Sequence, residues 1–346
     1  MQSLLTFPAS ALAWLGRHGT RAVAVSIFLG LALPPLAATF KPFVPEAIFV
    51  LLVLAFLRVE PRALAAYFTR PGLILAATAW TMLATPAALG ALFLMVGVDR
   101  TLPGLHIALV LQASAAPIMS APAFAALMGL DAALSLATLM LCILATPLTA
   151  PLFVHVFAGG ALTVSPFALG MKLFALLGGS AALAWVVRRA LGHRWVERQR
   201  ERIDGLSVVT LFVFAVAVMD GVGALFLARP GFVLGLVALC FVIAFGMMAA
   251  TALVFLRAGR ARAFALGLSA ANRNMGLMLA AMGGALPALT WLYMGLAQFP
   301  IYLMPQLLLP LARRIANAEG GRGTTEPTAP TVEGGKTAQT AQRPDA

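Results

Sequence analysis

Residues Gly267–Leu279 read GLSAANRNMGLML, so an arginine between two asparagines interrupts an otherwise apolar segment. Apolar sequence continues for about ten residues on either side, which places Arg273 near the middle of a membrane span. A cation at that depth costs roughly 2.5–3.5 kcal/mol on the mildest insertion scale, and such a residue faces a cavity, a partner or a ligand rather than lipid. Asn272 and Asn274 compete for nearby backbone groups and disfavour a continuous helix. The stretch predicts two half-helices that meet at mid-membrane.

Composition sets the class around this break. The chain is 61% hydrophobic and 10% charged over 346 residues, against about half and a quarter for a soluble domain. Apolar runs of about 20 residues recur along it, which reads as an all-α polytopic membrane protein; a β-barrel would show short alternating segments. The net charge of +12 lies between the apolar runs, so nucleic-acid binding is not expected. Cys142 and Cys240 fall within spans, without a CxxC pattern or a histidine cluster, and read as packing residues.

The pattern predicts ten spans, at about 21–38, 43–58, 72–96, 104–128, 131–157, 166–189, 205–227, 231–256, 261–284 and 287–311. Residues 1–20 form an N-terminal cytoplasmic or interfacial segment, with no basic region that would mark a cleaved signal peptide. From Ala316 the composition turns to Gly, Thr, Pro, Glu and Gln, and residues 316–346 read as a disordered cytoplasmic tail. Arginines cluster between alternate spans, above all over 188–202, whereas the opposite loops hold Lys41, Arg100 and Arg229. This asymmetry puts both termini in the cytoplasm of a plasma (inner) membrane protein.

Five spans over 21–160 and five over 161–315 suggest two repeats, and an odd number per repeat inverts the second. The fourth span is then expected to break as the ninth does. Gln112, Ser114, Pro117, Ser120 and Pro122 do gather at its middle, and interrupted helices at matching positions of two halves point to a transporter's binding site. Broken, crossing helices four and nine would present two half-helix N-termini and Arg273 to an anion. Arg273 therefore either pairs with an anionic substrate or holds the crossing together through backbone carbonyls. Asn272 and Asn274 read as half-helix caps or as ligand contacts. Ser269, Gln112, Ser114, Ser120, Thr85 beside Pro86, and Gln298 beside Pro300 are the other candidate cavity residues.

Away from the break, Asp220 lies at a depth that matches Lys172 on the preceding span, which predicts a structural ion pair, with proton carriage as the alternative. Asp131 reads as an N-cap, and His106 and His155 as interfacial residues near span ends. No HExxH, GxSxG or Walker pattern appears, so an enzyme is not expected.

Two stretches resemble the bile acid:sodium symporter family, within the superfamily that includes arsenite efflux permeases. They are Ala115–Ser135, continuing to Ala145–Pro151, and Ser269–Gly276. The resemblance implies an inverted-repeat fold in which spans three to five and eight to ten form a core and the others a panel, with organic anions as substrates. Sodium-coupled members carry an acidic residue where this chain has Ser269, a glutamine where it has Arg273, and a Ser-Asn pair where it has Ala121-Pro122. The usual sodium ligands are thus absent, and Arg273 is expected to supply the charge that sodium supplies elsewhere. The expected function is secondary transport of a small organic anion, with no cofactor and no partner beyond substrate and bilayer. Proton-coupled efflux, facilitation, or ligand sensing without transport are the alternatives.

Overall fold

The computed structural model describes residues 26–59, 71–159, 162, 164–283 and 286–320. They are helical almost throughout, and among them seven helices are long and apolar enough to cross a membrane. The chain is a multi-pass helical membrane protein. Residues 26–32 are helical, followed by α1 (Pro34–Phe40) and α2 (Val44–Arg58), with one tight turn at Lys41–Phe43 between them. α3 runs over Pro71–Met95. α4 (Pro103–Ser114) and α5 (Ala121–Leu127) follow, then α6 (Ala132–Ala158) and α7 (Pro166–Leu191). The short α8 (His193–Arg198) leads into α9 (Arg200–Ala217) and α10 (Val222–Ala228). α11 (Pro230–Val254), α12 (Arg260–Ala271), α13 (Met275–Met282), α14 (Ala288–Leu296) and α15 (Gln298–Gly320) complete the chain.

Local chemistry sets many of these ends. Pro34, Pro103, Pro166 and Pro230 open their helices, where the missing N–H has no partner to lose. Asp131 caps α6 as expected, its Oδ1 accepting from Leu134 N at 2.9 Å. Gly129, just before it, has φ +71°, a turn that a side chain would strain. The tail differs from expectation: α15 continues through residues 316–318 to Gly320, because Ala316-Asn-Ala-Glu is compatible with helix and the helix-breaking composition begins only at Gly320. The N-terminal segment 1–20 and the rest of the tail lie outside the described residues.

The packing has an asymmetry along the membrane normal. At the end away from the arginine clusters, one apolar cluster joins Val44, Ile48, Phe214 and Val218 of α2 and α9 to Leu105, Leu277, Tyr293 and Met294 of α4, α13 and α14. At the arginine-rich end the core divides. Val53, Leu54 and Leu57 pack with Ala184, Val196 and Ile203. Separately, Ala125 and Met128 pack with Met248, Phe264, Leu268 and Met304, and Ile74 and Ala77 with Leu134, Ala137 and Leu266. Helices α2, α7 and α9 thus share the large core with the rest of the bundle and form a separate cluster with α8 at the arginine-rich end.

Candidate site at the crossing of two broken helices

The breaks fall at the residues expected from sequence. α4 ends at Ser114 and α5 begins at Ala121; α12 ends at Ala271 and α13 begins at Met275. The two extended linkers pair as one antiparallel bridge between Pro117 and Arg273. Ile118 N–H donates to the Asn272 carbonyl and Asn274 N–H to the Ala116 carbonyl, both at 2.8 Å. In this register Pro117 and Arg273 are the pair that exchanges no hydrogen bond with each other. Proline therefore loses nothing at that position, and it holds Ala116 extended.

Asn272 and Asn274 serve one half-helix end each. Asn272 Nδ2 donates to the Leu268 carbonyl at 2.8 Å, closing the end of α12. Asn274 Oδ1 accepts from Leu277 N at 3.0 Å, capping α13. Asn274→Ala is expected to cost about 1 kcal/mol of stability, read by thermal unfolding, while Asn274→Asp retains the cap. Equal loss from both substitutions would show that the cap is not what the side chain contributes.

Arg273 is the largest fully buried side chain among the described residues, 1% exposed. Its Nη1 donates to the Ala115 carbonyl at 2.8 Å and to the Thr81 carbonyl at 3.1 Å. The first of these carbonyls is freed by the end of α4, whose cap residue Ala115 is extended. The second belongs to a wide π-turn over Trp80–Ala84 within α3. The side chain therefore ties the α12–α13 linker to α3 and to the end of α4; the bond to Ala115 is the one the structural reading expected, and the bond to Thr81 is additional. That work occupies only one end of the guanidinium. Nε and Nη2 are buried without a hydrogen-bond partner, and no carboxylate among the described residues pairs with the charge. Nε–H and Nη2–H lie along one edge of the planar group, the edge that grips a carboxylate with two parallel bonds.

The other expected site residues divide. Ser269 Oγ and Ser135 Oγ bond each other at 2.8 Å, and Ser269 also donates to the Ala265 carbonyl at 2.9 Å. Gln112 Oε1 accepts from the Tyr293 hydroxyl at 2.7 Å. Ser114 donates to the Val110 carbonyl at 2.8 Å, Thr85 to the Trp80 carbonyl at 2.9 Å and Gln298 Nε2 to the Met294 carbonyl at 3.2 Å. These side chains shape the breaks by satisfying backbone groups. Ser120 is half-buried beside the start of α5 and makes no side-chain cap bond. Two hydroxyls satisfy one another at Ser135 and Ser269, and a guanidinium stands at 273.

The expected Lys172–Asp220 pair is corrected. Asp220 Oδ2 bonds Lys41 Nζ at 2.8 Å, and the same ammonium lies 4.7 Å from the centroid of the Trp291 ring. Lys172 is exposed on α7. Matching depth on consecutive spans does not choose the partner, because the tight turn at Lys41–Phe43 delivers a second lysine to the same place. His106 also departs from the interfacial expectation: it is buried, with Nε2 2.7 Å from the Phe157 carbonyl. Sequence reasoning missed the Thr81 carbonyl, Tyr293 and Trp291. Pro86 was the available signal for the first; nothing local marks the other two.

No protein-family model matches the chain, and no curated protein matches it.

Proposed function

We propose that this protein is a secondary transporter of a small organic anion, and that Arg273 at the crossing supplies the fixed positive charge for it. The observation that carries the reading is the free Nε–Nη2 edge of a guanidinium that is 1% exposed. A buried charge held only by neutral carbonyls is costly unless a counter-charge joins it, and removing water from such a site costs several kcal/mol per ion, on the order of the binding energy of a small ligand. A carboxylate from substrate answers the charge and fills both free donors at once. In this reading the chain has ten spans in two inverted repeats, both termini lie in the cytoplasm, and the likeness to the bile acid:sodium symporter family is one of architecture.

The packing asymmetry supports alternating access. The bundle shares one apolar core at the end opposite the arginine clusters and separate cores at the arginine-rich end. A transporter closed at the first end and parted at the second has this arrangement, and the reverse state needs the shared core to divide. Ser269 and Arg273 stand where sodium-coupled members of the resembling family carry an acidic residue and a glutamine, which supports transport that does not use sodium.

The test is uptake of a panel of labelled carboxylates into liposomes holding the purified protein, at fixed membrane potential, with and without sodium and a pH gradient. Saturable uptake of at least one carboxylate, unchanged by sodium, is expected. Uptake that rises with a sodium gradient at constant potential refutes sodium independence, and saturable binding without uptake under every gradient replaces the transporter with a ligand sensor.

A further inference from the structure

The Thr81 carbonyl that Arg273 grips is one that a regular helix would not offer. In an α-helix it would accept from the N–H of residue 85, four positions on; in a wider turn, from residue 86, five positions on. Here the Thr85 N–H donates instead to the Trp80 carbonyl, where the Thr85 hydroxyl joins it at 2.9 Å. Residue 86 is proline and has no N–H. Both helical donors of Thr81 are thereby removed, one diverted and one absent. The π-turn over Trp80–Ala84 ends directly before these two residues. The free carbonyl meets Arg273 Nη1 at 3.1 Å, and Thr81 is 4% exposed, so water is a poor alternative partner.

We infer that Pro86 is a positioning residue for Arg273. By withholding an N–H it reserves the Thr81 carbonyl for the guanidinium. Together with the Ala115 carbonyl, this occupies Nη1 and turns the Nε–Nη2 edge toward the ligand. Its consequence for transport rests on the anion reading above; the contact itself does not. The proline is buried and has no N–H that needs an acceptor, so its effect on the site passes through the helix it interrupts.

A double-substitution cycle on the full chain separates the two. Pro86→Ala, Arg273→Gln and the pair are compared by thermal unfolding in lipid nanodiscs. In the unaltered background Pro86→Ala lowers the melting temperature, because the restored N–H competes with Arg273 for helix carbonyls. In the Arg273→Gln background it raises the melting temperature, because the repaired turn no longer deprives a cation. Pro86→Gly restores the same N–H and shows the same reversal. An equal shift in both backgrounds overturns the inference, as does a Pro86→Gly variant that behaves like the unaltered chain. In liposome uptake, Pro86→Ala raises KM about tenfold and leaves kcat within about twofold, since it misplaces a binding edge without altering the transport cycle. A fall in kcat at unchanged KM also overturns it. Coupling in the cycle without binding or uptake of any carboxylate by the unaltered chain leaves the positioning intact and removes the anion reading. An additive cycle with carboxylate uptake does the opposite.

Discussion

Arg273→Gln is expected to abolish carboxylate uptake at concentrations near the KM of the unaltered protein, with apparent affinity falling about 100-fold. That figure corresponds to about 3 kcal/mol, the upper range for a charge-assisted contact in a dry site. Glutamine is neutral and its amide nitrogen lies two bonds nearer the backbone than Nη1, so it falls short of the pair of carbonyls at Ala115 and Thr81 that Nη1 holds together. A stability loss of about 1–3 kcal/mol accompanies the substitution, because a buried acceptor is left bare. Arg273→Lys keeps the charge and still fails to restore affinity: a single ammonium cannot hold two carbonyls and present a flat pair of donors as well. Retained transport in Arg273→Gln, with unchanged pH and ion dependence, would sink the substrate role and leave Arg273 as a structural tie.

Gly295→Ala is expected to have the second-largest effect, and it tests alternation rather than binding. Gly295 lies in α14 against the end of α9, and a Cβ built there would collide with the Val218 carbonyl oxygen. The obstacle is backbone, so no rotamer change relieves it, and the helices must part at the end where the bundle shares its core. Overpacking of this kind costs about 1–3 kcal/mol. The closed state of that end loses this energy and the parted state does not. Uptake Vmax should therefore fall about tenfold or more, with a smaller change in KM and a lower melting temperature. An unchanged Vmax alongside a lowered melting temperature would show that the Gly295–Val218 approach is packing alone and that transport does not depend on it. The ion pair at this end, Lys41–Asp220, is 44% and 23% exposed, and pairs of that kind contribute only about 0.2–1 kcal/mol. The ion pair is therefore expected to matter less to alternation than the close backbone approach at Gly295.

Sequence alone determined the class of the protein and the place of its breaks. Those properties follow from local chemistry. A span is a matter of length and transfer energy, and a break follows from prolines that lack an N–H and asparagines that bond the backbone beside them. Hence the starts of the second half-helices, near Ser120–Pro122 and near Asn274, were legible, and Asn274 and Asp131 as caps. Partner choice was not legible, because it depends on which helices lie side by side. Asp220 had two lysines at suitable depth, and only the packed turn at Lys41 decided between them. His106 sat near a predicted span end yet is covered by the turn that carries Phe157. The double role of Arg273 was equally hidden. Sequence placed a cation at mid-membrane and left ligand binding and structural bonding as rivals. The tertiary structure assigns the structural bonds to Nη1 and leaves the Nε–Nη2 edge without a protein partner. A carbonyl 192 residues away in sequence, released by a proline and a wide turn, is what makes that division, and no local pattern around residue 273 contains it.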